Sequence, residues 1–396
     1  MLLFYALILR SFLFSELGSA STPVQRYHLE GKYGLFVSRL GQQYKIKWIT
    51  SVSEEGRFSY EDKGGLYKSL VTPQSIVHSV TIPVSNEPLT ITFGGASSEM
   101  EQIRLDPDIE RDLYDFKNVD SLYVLGDTHG NFEEVLQILQ SARLINQETQ
   151  WIGGSAHLVF LGDILDRGND ALRLAWFIYE LEQSASENGG SVHLVLGNHE
   201  VMVMSNDLRY VTAKEKQIAV THQVTYNQLF DPQQTYLGKW LASKPALLKI
   251  DKVLFCHGGM ITGESLAEVN NAVYNYLQED LFTHLMDEPF DSVQYSKDRQ
   301  LEQLDYLYNS HGPLWFRGYV QSDTLDAYLT WTMKHLNTSL HVVGHTIVSA
   351  IQQSYDGKLI ATNVTKAGTE MLLLIKEKKS KYSRFKIGLN GEINPL

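Results

Sequence analysis

The sequence predicts an α/β protein preceded by a small all-β domain. Three observations carry this expectation. From residue 119 onward, short apolar strands alternate with helical stretches, the pattern of layered α/β folds. Several of those strands stop abruptly in Gly-Asp, Gly-Asn or His-Gly. Before residue 98, apolar and polar residues alternate in short runs separated by Gly, Pro and Asn, which suits strands. With 396 residues the chain can bury a large core, and two domains are expected. Hydrophobic residues make up 43% and charged residues 20%, as in ordinary globular proteins.

Taken in order, the N-terminus looks like an export signal. Leu2–Leu9 is apolar, Phe12–Phe14 continues the run, and Gly18-Ser19-Ala20 resembles a small-x-small cleavage site. Residues 1–20 are therefore expected to be a signal peptide, with a periplasmic or secreted product. No Lys or Arg precedes the run and Arg10 interrupts it, so a cytoplasmic location is the alternative. The run is too short to span a bilayer and nothing later is longer, so no stable membrane insertion is expected. Residues 23–97 read as the small β domain, with strands at Tyr44–Thr50, Ser79–Val84 and Leu89–Phe93. A sandwich or barrel is expected, and the mid-domain strand carrying Trp48 suggests a fibronectin-III-like sandwich. Residues 98–118 are polar, rich in carboxylates, and read as a linker.

Residues 119–396 form the expected catalytic unit. The strand at Leu122 runs into Gly126-Asp127-Thr128-His129-Gly130, and the helix Asn131–Ile145 follows. His157–Leu161 runs into Gly162-Asp163-Ile164-Leu165-Asp166-Arg167-Gly168, followed by the helix Ala171–Gln183. Val192–Leu196 runs into Gly197-Asn198-His199-Glu200. Lys252–Cys256 ends in His257-Gly258-Gly259, and Leu340–Val343 in Gly344-His345-Thr346. Residues 205–243 and 263–310 read as mostly helical, and Asp356-Gly357 and Asn390-Gly391 mark hairpins in the tail.

These strand ends carry the chemistry. Asp127 and His129, two apart, leave their strand on one side. Across all five junctions the chain offers two carboxylates (Asp127, Asp163), three imidazoles (His129, His257, His345) and the Asn198 amide oxygen. Ligands at the carboxyl ends of strands are the usual placement in an open α/β sheet. Six ligands exceed the needs of one tetrahedral zinc. They suit two metal ions sharing a bridging carboxylate, an arrangement used for phosphoryl displacement. Mixed N and O donors are compatible with Mn, Fe, Zn or Co as divalent or trivalent ions. Arg167 and Arg317 lie beside glycines at loop edges and could grip a phosphate bidentately. His199 could protonate a leaving oxygen, with Asp166 orienting it. Glu200 is expected to support the ligands. The net charge of −12 argues against a nucleic-acid partner.

The ordered set Gly-Asp-Thr-His-Gly, Gly-Asp-Ile-Leu-Asp-Arg-Gly, Gly-Asn-His-Glu and His-Gly-Gly resembles the signature of the phosphoprotein phosphatase family of metallophosphatases. The resemblance covers roughly residues 119–365. Asp-Ile-Leu-Asp-Arg, Gly-Pro-Leu-Trp-Phe-Arg-Gly-Tyr and Val-Val-Gly-His-Thr look closer to its Shewanella-like branch, which includes a protein-tyrosine phosphatase. The resemblance implies a layered β-sandwich flanked by helices. It implies Asp127, His129 and Asp163 around one metal, and Asp163, Asn198, His257 and His345 around the second. It further implies phosphate binding by Arg167 and Arg317, and His199 with Asp166 as the general acid pair. The implied activity is phosphomonoester hydrolysis on phosphorylated proteins or peptides, with a metal-bridging hydroxide attacking in line. The eukaryotic serine/threonine members carry Ser-Ala-Pro-Asn-Tyr after the last histidine. Here Ile360-Ala361-Thr362-Asn363-Val364-Thr365 has no tyrosine, so their substrate preference is not carried over.

Tyrosine phosphatase activity is thus expected, with a serine/threonine phosphatase or dinucleoside polyphosphate hydrolase as alternatives. A non-catalytic binder is remote, because all six ligands are present. Trp315, Phe316 and Tyr319 flank Arg317 and could wall a pocket for a phenyl ring, although an aromatic run is more often core. Cys256 reads as packing, and the glycosylation acceptor patterns at Asn337-Thr338-Ser339 and Asn363-Val364-Thr365 carry little weight.

Overall fold

The computed structural model describes residues 29–62, 65, 67–278, 305–377 and 381–396. The expected signal peptide, 1–20, lies outside the described residues, as does 279–304 of the expected helical stretch. No helix among the described residues is long and apolar enough to cross a membrane.

Two six-stranded sheets form the centre. In the first, β7 (Ser121–Leu125), β8 (His157–Phe160) and β9 (Ser191–Leu194) run parallel, joined through α1 (Phe132–Ser141) and α2 (Ala171–Glu187). Antiparallel β15 (Glu370–Lys376), β16 (Tyr382–Gly388) and β17 (Ile393–Pro395) extend it beyond β7. The second sheet runs from β13 (Gln352–Ser354) through β14 (Leu359–Ala361), β12 (Leu340–Val343), β11 (Val253–Cys256) and β10 (Leu247–Ile250) to β6 (Asp115–Phe116). In it β14, β12 and β11 are parallel.

The strands are apolar on both sides because both sides are covered. Val159 and Leu161 point into the layer between the sheets with Val124, Phe255, Val342 and Leu372. Their neighbours Leu158 and Phe160 point the other way, into the core shared with the helices. Such doubly buried strands read as continuous apolar runs instead of alternating ones. Each fully buried Leu, Val or Phe contributes roughly 1.5–3 kcal/mol.

The N-terminal β region is one five-stranded antiparallel sheet. Its strands are β1 (Phe36–Leu40), β2 (Gln43–Asp62), β3 (Tyr67–Pro83), β4 (Leu89–Gly95) and β5 (Glu101–Leu105). β2 pairs with β3 along its length, with β1 at its start and with β4 at its end. This differs from the expected fibronectin-III-like sandwich. No second sheet of its own covers it among the described residues; it leans on the helices of the main body. Trp176 Nε1 donates to Leu35 O at 3.1 Å, Phe36 packs on His222, Tyr44 meets Tyr236 edge-on, and Lys32 pairs with Glu180 at 2.8 Å. Nor is 98–118 only a linker. β5 pairs with β4, burying Ile103 and Leu105, and β6 joins the second central sheet. Carboxylates and Arg104 around the two apolar residues hid that short alternation.

Candidate metal centre

The carboxyl ends of β7, β8, β9, β11 and β12 lie together, and the five loops that leave them carry every expected ligand. Asp127, His129, Asp163, Asn198, His257 and His345 are all buried. Two glycines allow the close approach. A Cβ on Gly344 would sit 2.7 Å from Asp127 Oδ1, and one on Gly197 would collide with Asp163.

Hydrogen bonds fix which ring nitrogen each imidazole presents. His129 Nδ1 lies 3.0 Å from Leu165 O, and His257 Nδ1 lies 2.5 Å from Leu161 O. A carbonyl can only accept, so each Nδ1 carries a proton, and Nε2 is the nitrogen turned toward the cluster. His257 Nε2 is 3.2 Å from Asp163 Oδ2, 3.0 Å from Asn198 Oδ1 and 3.2 Å from His345 Nδ1. His129 Nε2 lies 3.8 Å from Asp127 Oδ2 and 3.9 Å from Asp163 Oδ2. Two donor groups emerge, His129 with Asp163 and His199, and Asp163 with His257 and His345. Asp163 belongs to both.

The electrostatics are those of a cluster suited to added positive charge. Burial pushes the Asp127 carboxyl up to about 6 and His129 down to about 4. It pushes His345 down to about 2. Burial opposes charge at Asp163 and His257 too, but their mutual attraction wins. Asp163 is held well below the usual carboxylate range and His257 rises to about 9. His345 Nε2 is buried with no hydrogen-bond partner. The Arg167 guanidinium stands where a cation fits, with Nη1 donating to His129 Nε2 at 2.8 Å and Nη2 to His199 Nε2 at 2.9 Å. A buried imidazole nitrogen without a partner and a carboxylate common to two donor groups fit metal ions.

The backbone here is unusual. His129, Asp163, Asp166, Arg167 and His345 all have positive φ, between 46° and 67°. Such conformations cost on the order of 1–3 kcal/mol each outside glycine and persist only where the surroundings enforce them. Glu200 is one enforcer. Its Oε2 accepts from Gly197 N and Asp163 N, both at 2.8 Å, and its Oε1 accepts from Ile164 N at 2.9 Å and Leu165 N at 3.1 Å. One carboxylate thereby shapes the Asp163 loop and the start of α3 (Asn198–Met204).

His199 and Asp166 form the expected pair, Nδ1 donating to Asp166 Oδ2 at 2.7 Å. Burial lowers the affinity of His199 for a proton, but Asp163 and Asp166 more than restore it, so its pKa is raised. Arg317 reaches the same rim, its Nη1 donating to His345 O at 3.0 Å.

Sequence reasoning missed Asn363. Its Nδ2 donates to Asp127 Oδ2 at 2.6 Å and to His345 O at 3.0 Å, tying the first expected ligand to the last. It is buried, so the acceptor pattern it starts has no role in the folded chain. The available signal was its place just past β14, a further apolar strand ending at the same edge. Asn363→Ala is expected to weaken metal affinity about 10–100-fold, as loss of an orienting partner does elsewhere. A metal titration followed by calorimetry would check this, and an unchanged affinity would contradict it.

The aromatic wall is corrected. Phe316 and Tyr319 are core residues, and Tyr319 donates its hydroxyl to Met260 O at 3.0 Å. Only Trp315 of the three faces the site, its ring edge-on to His345 at 6.0 Å. Tyr210, which the sequence did not single out, lies over Arg167. Cys256 donates to Pro313 O, and burial pushes its thiol up to about 12, which leaves it inert.

Residues 121–349 match the family model described as calcineurin-like phosphoesterase. Shewanella-like protein phosphatase 2 of Arabidopsis thaliana is 38% identical over 99 residues, 25% of each chain. A symmetrical bis(5'-nucleosyl)-tetraphosphatase of Vibrio cholerae is 30% identical over 151 residues, 38% of this chain and 48% of that protein. This chain thus spans less than half the length of either relative. The crystal structure of a cold-active protein-tyrosine phosphatase from a psychrophilic Shewanella species superposes with a TM-score of 0.70 at 25% identity. It covers 92% of this chain and 98% of that one.

Proposed function

We propose, from the premise that this chain belongs to the calcineurin-like phosphoesterase family, that it is a two-metal phosphomonoesterase acting on phosphotyrosine in proteins or peptides. The observation that carries the reading is Asp163, one buried carboxylate within reach of two separate donor groups. Asp127, His129 and Asp163 would hold one ion, and Asp163, Asn198, His257 and His345 the other, with Mn, Fe or Zn compatible with the donors. Bound ions supply Lewis acidity toward phosphoryl oxygens and a water acidic enough to attack near neutral pH.

The chain's own residues do the rest. Arg167 and Arg317 grip the phosphate from the rim. A phosphate that takes over the Arg167 N–H groups releases His199 Nε2, which now accepts from that arginine. The freed imidazole, kept basic by Asp163 and Asp166, carries a proton to the leaving oxygen. No side chain is needed as a covalent nucleophile.

Phosphotyrosine is favoured by the similarity to the Shewanella tyrosine phosphatase across nearly the whole chain. The similarity to the Vibrio tetraphosphatase supports a dinucleoside polyphosphate as the second reading. The test is hydrolysis of matched phosphotyrosine and phosphoserine peptides and diadenosine tetraphosphate, by chelated protein and by protein reloaded with Mn, Fe or Zn. Chelation is expected to abolish turnover and reloading to restore it, with phosphotyrosine preferred. Undiminished turnover after complete metal removal would refute the two-metal reading. Preference for the nucleotide would replace the substrate.

A further inference from the structure

We infer that Tyr210 is the specificity-determining residue of this site, a platform on which an aromatic leaving group stacks as it departs. The inference rests on the phosphotyrosine reading and deepens it.

The oxygen protonated by His199 is the one joined to the leaving group. The leaving group must therefore pass beside the His199 ring. That ring is hemmed in on its other sides. Asp166 holds Nδ1, the His129 ring stands edge-on 4.9 Å away, and Asp163 Oδ2 lies 3.9 Å from Nε2. The exposed aromatic neighbour of the His199 ring is Tyr210, with ring centres 5.2 Å apart.

Tyr210 is built to stay there. Arg167 N donates to its carbonyl at 2.9 Å, so the residue that grips phosphate also anchors the platform. The Arg167 and Arg209 guanidinium groups lie 5.5 Å and 5.6 Å from the centre of its ring, two cations held against one aromatic system. The preceding turn is locked by Asp207, which accepts from Arg209 Nε at 2.8 Å and from Nη2 at 2.6 Å. Yet Tyr210 is 45% exposed. The part of this oriented ring that the two guanidinium groups leave exposed offers a phenyl group an aromatic partner, offset-stacked or edge-on. It offers the short alkyl chain of phosphoserine almost nothing.

The experiment compares kcat/KM for phosphotyrosine and phosphoserine peptides of one sequence, using the metal-loaded full chain. The wild-type ratio tests the phosphotyrosine reading by itself, and a ratio below one would remove it. The change in that ratio tests Tyr210. Tyr210→Ala is expected to lower the tyrosine-to-serine ratio about threefold to tenfold, the range for one aromatic pair. Tyr210→Phe, which keeps the ring, is expected to hold the ratio within about twofold. An unchanged ratio in Tyr210→Ala overturns the inference. So does an equal fall in both variants, which would assign the effect to the hydroxyl. Equal losses on both peptides in Tyr210→Ala also overturn it, since they would mean that Tyr210 only props Arg167.

Discussion

Asp163→Asn is expected to lower kcat/KM by about three orders of magnitude or more and to reduce the metal content of the purified protein at both sites. The reasoning follows from geometry. Asp163 Oδ1 accepts from His199 N at 2.9 Å, and an asparagine oxygen can keep that bond. The amide nitrogen then takes the place of Oδ2, 3.2 Å from His257 Nε2 and 3.9 Å from His129 Nε2. It brings N–H donors and no charge to the one point common to both donor groups. The change is nearly isosteric, so the fold should survive, which denaturant unfolding can verify. Elemental analysis and peptide hydrolysis together give the answer. A folded variant that retains two ions per chain and activity within tenfold of wild type would sink the bridging assignment.

His199→Asn is expected to act on rate according to the leaving group. For phosphotyrosine, whose phenol has a pKa of about 10, loss of the general acid should lower kcat by about 10²–10⁴-fold. For p-nitrophenyl phosphate, whose phenol departs readily as the anion, the loss should be much smaller. This contrast separates a proton donor from a structural part. A residue that only positioned Arg167, which it touches at 2.9 Å, would weaken both substrates alike. Asp166→Asn should follow the same pattern more mildly, because it replaces the charged acceptor at Nδ1 with a neutral amide and leaves the imidazole in place.

Much of the candidate site was legible because the expected ligands end strands. An apolar run cannot extend through Asp127, Asp163, Asn198, His257 or His345, so composition alone marked five chain positions, and parallel strand order brought them to one edge. The chemistry of side-chain types did the rest. What stayed hidden depends on three-dimensional neighbours. Asn363 looks like any loop asparagine until β14 sets it beside Asp127. Tyr210 sits in a polar turn whose path across Arg167 has no sequence pattern. Phe316 and Tyr319 carried the right chemistry on the wrong face, because flanking Arg317 in sequence turns most of those rings toward the core. The N-terminal strands were visible by alternation, but their partners were not. Alternation reveals that a face is buried without saying what covers it.

That covering has a consequence for how the molecule is made. The N-terminal sheet is complete once Leu105 has been synthesised, yet Trp176, His222 and Tyr236, against which it rests, come much later in the chain. At typical elongation rates the ribosome delivers the last of them roughly ten seconds afterwards. During that interval Leu35, Phe36 and Tyr44 have only water or a chaperone to meet. The apolar face of the N-terminal sheet therefore stays uncovered while residues 106–236 are made, a stretch that already includes Asp127, Asp163 and Asn198.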